Sequence, residues 1–135
     1  MTATLNVWAS AGARIDGRAL PLGSHAVPTS ISVTGNVHRR RDVIANGANS
    51  TMYSDELGRF SFGWIEADFN TRVLLTDTQS ATFSLPVRGT GTAGVYGMPL
   101  FLPNDVTTNS NVTINSIQVF NDSGSDATVN VVIIE

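Results

Sequence analysis

The stretch Ile-Gln-Val-Phe-Asn-Asp-Ser-Gly-Ser-Asp-Ala-Thr-Val-Asn-Val-Val-Ile (Ile117–Ile133) holds two apolar alternations, Ile117/Val119 and Ala127/Val129/Val131/Ile133. An apolar residue at every second position marks a strand that buries one face. Between the two runs lies Asn-Asp-Ser-Gly-Ser-Asp, rich in residues that favour turns. The stretch therefore predicts a β-hairpin turning over Asn121–Asp126. Val112 and Ile114 extend the first run backwards. The phase slips by one between Ile114 and Ile117, which predicts a bulge near Asn115–Ser116.

The same period recurs along the chain. Leu5/Val7, Ile31/Val33/Val37 (with Gly35 between), Phe60/Phe62/Trp64, Arg72–Leu75 and Phe83/Leu85/Val87 read as strands. Asn46-Gly47, Leu57-Gly58 and Pro103-Asn104-Asp105 punctuate them as turns. The one helical signal, Ser54–Gly58, is long enough for a single turn. Short strands separated by Gly/Pro/Asn clusters predict an all-β chain: a single antiparallel β-sandwich, jelly-roll-like. Residues 11–28 carry Gly12, Gly17, Pro21, Gly23 and Pro28 and read as irregular. The expected organisation is an irregular N-terminal arm with one short strand over residues 1–28 and a β-sandwich over residues 29–135.

Composition removes much chemistry. The 135 residues contain no Cys, which excludes thiol catalysis, disulfides and Cys-ligated metals. All eight basic residues are Arg, so Schiff-base lysine chemistry and a P-loop lysine are excluded too. A net charge of −3 argues against a general nucleic-acid surface, which needs a basic face. Thr, Ser and Asn exceed a quarter of the chain, giving a polar surface that is mostly neutral. No apolar run is long enough for a membrane helix, and Met1–Asn6 has neither the basic nor the apolar region of a signal peptide.

Several motifs invite chemistry. Gly89-Thr-Gly-Thr-Ala-Gly94 matches the dinucleotide pattern, but a helix N-terminus must follow to hold the pyrophosphate. Gly97, Pro99 and Pro103 follow instead, so the motif reads as an inter-strand loop. Glu66 and Asp68, two apart, are expected on one side of a strand with Asp77 nearby, as a carboxylate pair or hard-cation site would need. An acidic strand end is the plainer reading. Gly23-Ser24-His25 lacks the elbow of a serine hydrolase. Trp8, Trp64, Tyr53 and Tyr96 are the side chains from which a sugar-stacking platform would be built. Asn49, Asn111 and Asn121 head glycosylation-type triplets, which an Asn/Ser/Thr-rich chain generates by chance. His38-Arg39-Arg40-Arg41 is the one charge cluster, expected in a turn after the Ile31–Val37 strand. In extended chain Arg39 and Arg41 project to one side and Arg40 to the other. Guanidinium groups of this kind suit ion pairs with a partner protein.

Arg72–Leu85 (Arg-Val-Leu-Leu-Thr-Asp-Thr-Gln-Ser-Ala-Thr-Phe-Ser-Leu) and Ile117–Ile133 share a rhythm of hairpin and composition. In this the chain resembles the small β-sandwich decoration (cement) and tail-accessory proteins of tailed-phage virions. The resemblance implies a virion structural protein that needs no catalytic group and no cofactor. It would be made in the host cytoplasm, bind the outer capsid surface and stabilise capsomer contacts. Its partners would be the major capsid protein and copies of itself, as a dimer or trimer, with no nucleic acid and no membrane. Contacts are expected from the first thirty residues, with Trp8, Arg14 and Arg18, and from Arg39, Arg40 and Arg41. The alternative is a carbohydrate-binding or receptor-binding β-sandwich module of a phage tail, whose partner would be a glycan.

Overall fold

The computed structural model describes residues 2–7, 11–15, 18–22, 29–34, 36–54, 60–104 and 113–134, with side chains from Asn36 onward except that of Pro103. The chain divides into two units, Met1–Gly35 and Asn36–Glu135. The first holds β1 (Thr2–Val7), β2 (Ala11–Ile15), β3 (Arg18–Leu22) and β4 (Thr29–Thr34). They form two two-stranded antiparallel sheets, β1 with β4 and β2 with β3. Residues 11–28, whose Gly and Pro content predicts irregular chain, thus contain the paired β2 and β3. Pro21 stands opposite Gly12 in that ribbon. A two-stranded ribbon has an outward edge on each strand, where a residue without an N–H is tolerated.

The second unit is all strand and turn, with no helix among its described residues: β5 (Val37–Ile44), β6 (Asn49–Ser54), β7 (Phe62–Ala67), β8 (Thr71–Asp77), β9 (Thr82–Val87), β10 (Leu100–Pro103), β11 (Ile114–Phe120) and β12 (Ala127–Ile134). The pairing is nested. β5 runs antiparallel to β12, β6 to β11, β7 to β10 and β8 to β9. Rolling this nested hairpin gives two four-stranded sheets, ordered β10-β7-β12-β5 and β6-β11-β8-β9. That order is a jelly roll, and it makes a single β-sandwich of Asn36–Glu135.

The core lies between the sheets. Ile65, Ala67, Val129, Val131 and Ile133 enter it from one sheet, and Val73, Leu75, Val87, Ile117 and Val119 from the other. The period-two alternation that suggests strands in the sequence is visible as burial. In β12 the odd-numbered residues from Ala127 to Ile133 are buried and the intervening Thr128, Asn130 and Val132 are half-buried. Tyr53 meets Phe60 edge-on at 4.9 Å, filling one end of the core.

The structure corrects one strong expectation. β11 and β12 do not pair with each other; they belong to opposite sheets. Asn121–Asp126 is a corner between sheets, and Asn121 explains why. Its side chain is wholly buried and saturated: Nδ2 donates to the carbonyls of Ile44 and Ser125, and Oδ1 accepts from the Ser123 amide and hydroxyl. Its backbone bonds to Ala48 and Gly47 tie the corner to the β5–β6 connection. At the opposite end, buried Asn104 bonds the Phe60 carbonyl and both backbone groups of Ile114. The bulge, by contrast, falls where the phase slip puts it, between Ile114 and Ser116 in the pairing with β8. The sandwich edges are discouraged from pairing with other chains. β10 is four residues long and ends at Pro103, β9 carries Pro86, and β5 carries the arginines. The helical turn expected over 54–58 lies largely outside the described residues.

Candidate functional site

The arginine cluster sits within β5, an edge strand, and not in a turn. The register decides where each guanidinium goes. Arg40 stands opposite Val131, a core residue, so it projects toward the inter-sheet side. There it bonds Asp42 at 2.9 Å, and Asp42 accepts from the Ser50 hydroxyl of β6 at 2.7 Å. This chain of contacts laces the open edge between the sheets. The Ser50 hydroxyl and then Arg40 hold the Asp42 carboxyl below its ordinary value. Both side chains remain partly exposed, so the ion pair itself contributes less than about 1 kcal/mol.

Arg39 and Arg41 project to the outer face. Arg39 stands opposite Val132, which stands opposite Trp64, which stands opposite Phe101 of β10. One row away, Arg41 stands opposite Asn130, which stands opposite Glu66. The two rows differ in character: Phe101, Trp64 and Val132 make an apolar strip, and Glu66, Asn130 and Arg41 a polar one. Trp64 meets the Phe101 ring edge-on at 4.8 Å. Glu66 is braced from both sides, accepting from Trp64 Nε1 and from Asn130 Nδ2, each at 3.1 Å. Among the described residues, neither Arg39 nor Arg41 makes an ion pair. With Arg40, Glu66, Asn130, Val131 and Val132 they line a groove of about 350 Å³.

The other sequence-level candidates separate. Glu66 is on the outer face, but β7 ends at Ala67 and the next residue turns inward. Asp68 is 1% exposed and accepts from the Thr128 amide at 2.7 Å and the Gly94 amide at 2.8 Å. Burial pushes its carboxyl up, but the amide hydrogen bonds outweigh this and hold it below the ordinary value. Asp77 lies at the far end of β8, where Oδ1 caps the β8–β9 turn through the Gln79 and Ala81 amides. The three carboxylates are therefore not one site.

Asp68 also explains the glycine motif. Gly91 donates to its carbonyl and Gly94 to its carboxylate, both glycines at positive φ. A Cβ on Gly89 would fall 2.3 Å from the Asp68 carbonyl oxygen. The motif is a loop strapped onto a buried carboxylate. Of the aromatic platform's described members, Tyr53 is buried in the core, Tyr96 lies in the β9–β10 connection, and Trp64 is on the outer face. Asn121 is buried, so its triplet serves the corner, while Asn49 is on β6 and accepts from Gln118. Trp8, Ser24, His25 and Asn111 lie outside the described residues. Arg14 and Arg18 hold adjacent register positions in the β2–β3 ribbon, opposite Ala19 and Ile15. Phe101 and Asn130, central to the outer face, were not singled out from the sequence. Their only signal is the register, which juxtaposes strands distant in the chain.

Comparison of the chain with protein-family models, with curated proteins and with solved structures finds no match.

Proposed function

We propose that this chain is a non-enzymatic structural protein of a virion, a decoration or cement protein that binds the outer capsid surface and stabilises capsomer contacts. The observation that carries this reading is the make-up of residues 1–35, whose described residues form four strands in two two-stranded pairs. Such pairs are marginally stable in water unless a further surface covers them. In this reading the surface is the major capsid protein or another copy of this chain. The jelly roll supplies a stable body for the purpose, an architecture used in viral shells and also in lectins. Fold alone does not choose between those uses. Arg39 and Arg41 are available for partner contact, while Arg40 is engaged within the sandwich.

Counting this chain against the major capsid protein in purified particles, by quantitative mass spectrometry, tests the proposal. A lattice-wide clamp is expected at about one copy per one to three capsid subunits. A few dozen copies per particle places the chain in a tail or vertex, and complete absence ends the virion reading. Removing residues 1–35 is expected to abolish particle attachment; undiminished attachment overturns the role assigned to that unit.

A further inference from the structure

The outer face of the β10-β7-β12-β5 sheet carries a groove whose lining can be read independently of the virion proposal. Two guanidiniums, Arg39 and Arg41, flank the groove without an ion-pair partner among the described residues. They are two positions apart on one strand, hence about 6.8 Å apart along it. Such a pair is completed by a carboxylate, which a guanidinium binds through parallel hydrogen bonds. The face around the groove says what carries that carboxylate. Val132, which lines the groove, and Trp64, opposite it in register, form an apolar strip next to the polar row of Glu66, Asn130 and Arg41. A pyranose has the same division, with C–H groups on its faces and hydroxyls around its rim. Glu66 is held at both oxygens and retains lone pairs for hydroxyl donors, while Asn130 retains an amide hydrogen and its carbonyl oxygen. An acidic peptide would satisfy the arginines but leave this row of hydroxyl partners without use.

We infer that the groove lined by Arg39, Arg41, Val132, Asn130 and Glu66 binds a carboxylate-bearing saccharide. The test is titration calorimetry of the full chain with tetragalacturonate and with sialyllactose. The neutral controls are the methyl-esterified tetramer and lactose. At least one acidic sugar is expected to bind, with its neutral counterpart about tenfold weaker or more, the effect of losing one charge-assisted hydrogen bond. The double variant Arg39→Gln/Arg41→Gln, at exposed positions, is expected to lose binding, and Arg72→Gln, on the other sheet, to retain it. Equal binding of acid and ester, equal loss in Arg72→Gln, equal binding of an oligoglutamate, or no binding of either acidic sugar overturns the inference. None of these outcomes alters the copy number in the particle, so the two proposals fail separately.

Discussion

The two outer faces of the sandwich are built on the same alternation and finished differently. On the β6-β11-β8-β9 side Asn49, Gln118 and Arg72 all find side-chain partners, and Phe83 of β9 is the exposed apolar residue. Gln118 donates to Asn49, and Arg72 lies over the Phe120 ring at 4.6 Å while reaching Asp122 at 3.5 Å. On the β10-β7-β12-β5 side two arginines lack an ion-pair partner among the described residues, and Val37, Val43 and Phe101 are exposed. A face whose charges are internally matched is complete in water. A face that combines open guanidiniums with exposed apolar side chains still has groups to match. The proposed ligand site lies on that second face.

The contrast presumes that both faces belong to one cooperative body, and Asn121 is where that presumption breaks most easily. Asn121→Ala removes four side-chain hydrogen bonds at the corner joining the sheets, including the donors to the Ile44 and Ser125 carbonyls. The expected cost is about 3–4 kcal/mol, set by losing four hydrogen bonds around a wholly buried side chain. Urea unfolding followed by far-UV dichroism and by Trp fluorescence should still give one coincident transition at lower midpoint. Separate transitions would mean that the faces unfold independently and that the comparison joins two bodies.

Asp68 sharpens the comparison from the recognition side, since it anchors the end of β7 and the β9–β10 connection. Asp68→Asn cannot accept from both Thr128 and Gly94, because one carboxylate oxygen becomes an amide donor facing an N–H. The expected loss at neutral pH is about 2 kcal/mol. The folded chain holds this carboxyl below the ordinary 3.8, so as pH falls the unfolded chain takes up the proton first. The stabilisation is therefore full well above 3.8, shrinks as pH falls through that value, and is gone below the lowered folded value. Wild type and variant should converge in stability as the pH is lowered toward the acid limit. A gap that stays constant with pH would show that the carboxylate charge is not what holds the loop.

Fold class was legible because core-facing positions in β8, β11 and β12 are apolar at period two, a pattern that physics ties to burial on one face. The edge strands were less legible. β6 reads Asn-Ser-Thr-Met-Tyr-Ser and β5 buries few of its side chains, so neither shows a clean alternation. Partner choice was hidden more deeply. The Asn-Asp-Ser-Gly-Ser-Asp segment is as good a hairpin turn as it is a sandwich corner. What decides is a long-range bond from Asn121 to Ile44, which no local pattern encodes. The split of Arg40 from Arg39 and Arg41 follows from strand parity and was readable. The row joining Phe101, Trp64, Val132 and Arg39 required the register of four strands.

The smallest effect is the most direct test of the two-face contrast. Arg72 is partly engaged, but its partner Asp122 is exposed and the ion pair is long, so Arg72→Gln should cost no more than about 1 kcal/mol. Arg39 and Arg41 have no such ion pair to lose, and the double change to Gln should leave stability within about 0.5 kcal/mol of wild type. Ligand binding should invert this order, with Arg72→Gln silent and the double variant deficient. The physical reason is that a charge already satisfied within the fold contributes to folding, whereas one left open contributes only when a ligand arrives. Thermal unfolding of the two variants side by side settles the stability half. If the double variant proves the less stable, Arg39 and Arg41 are holding the edge strand in place, and the outer face they border is scaffold rather than a binding surface.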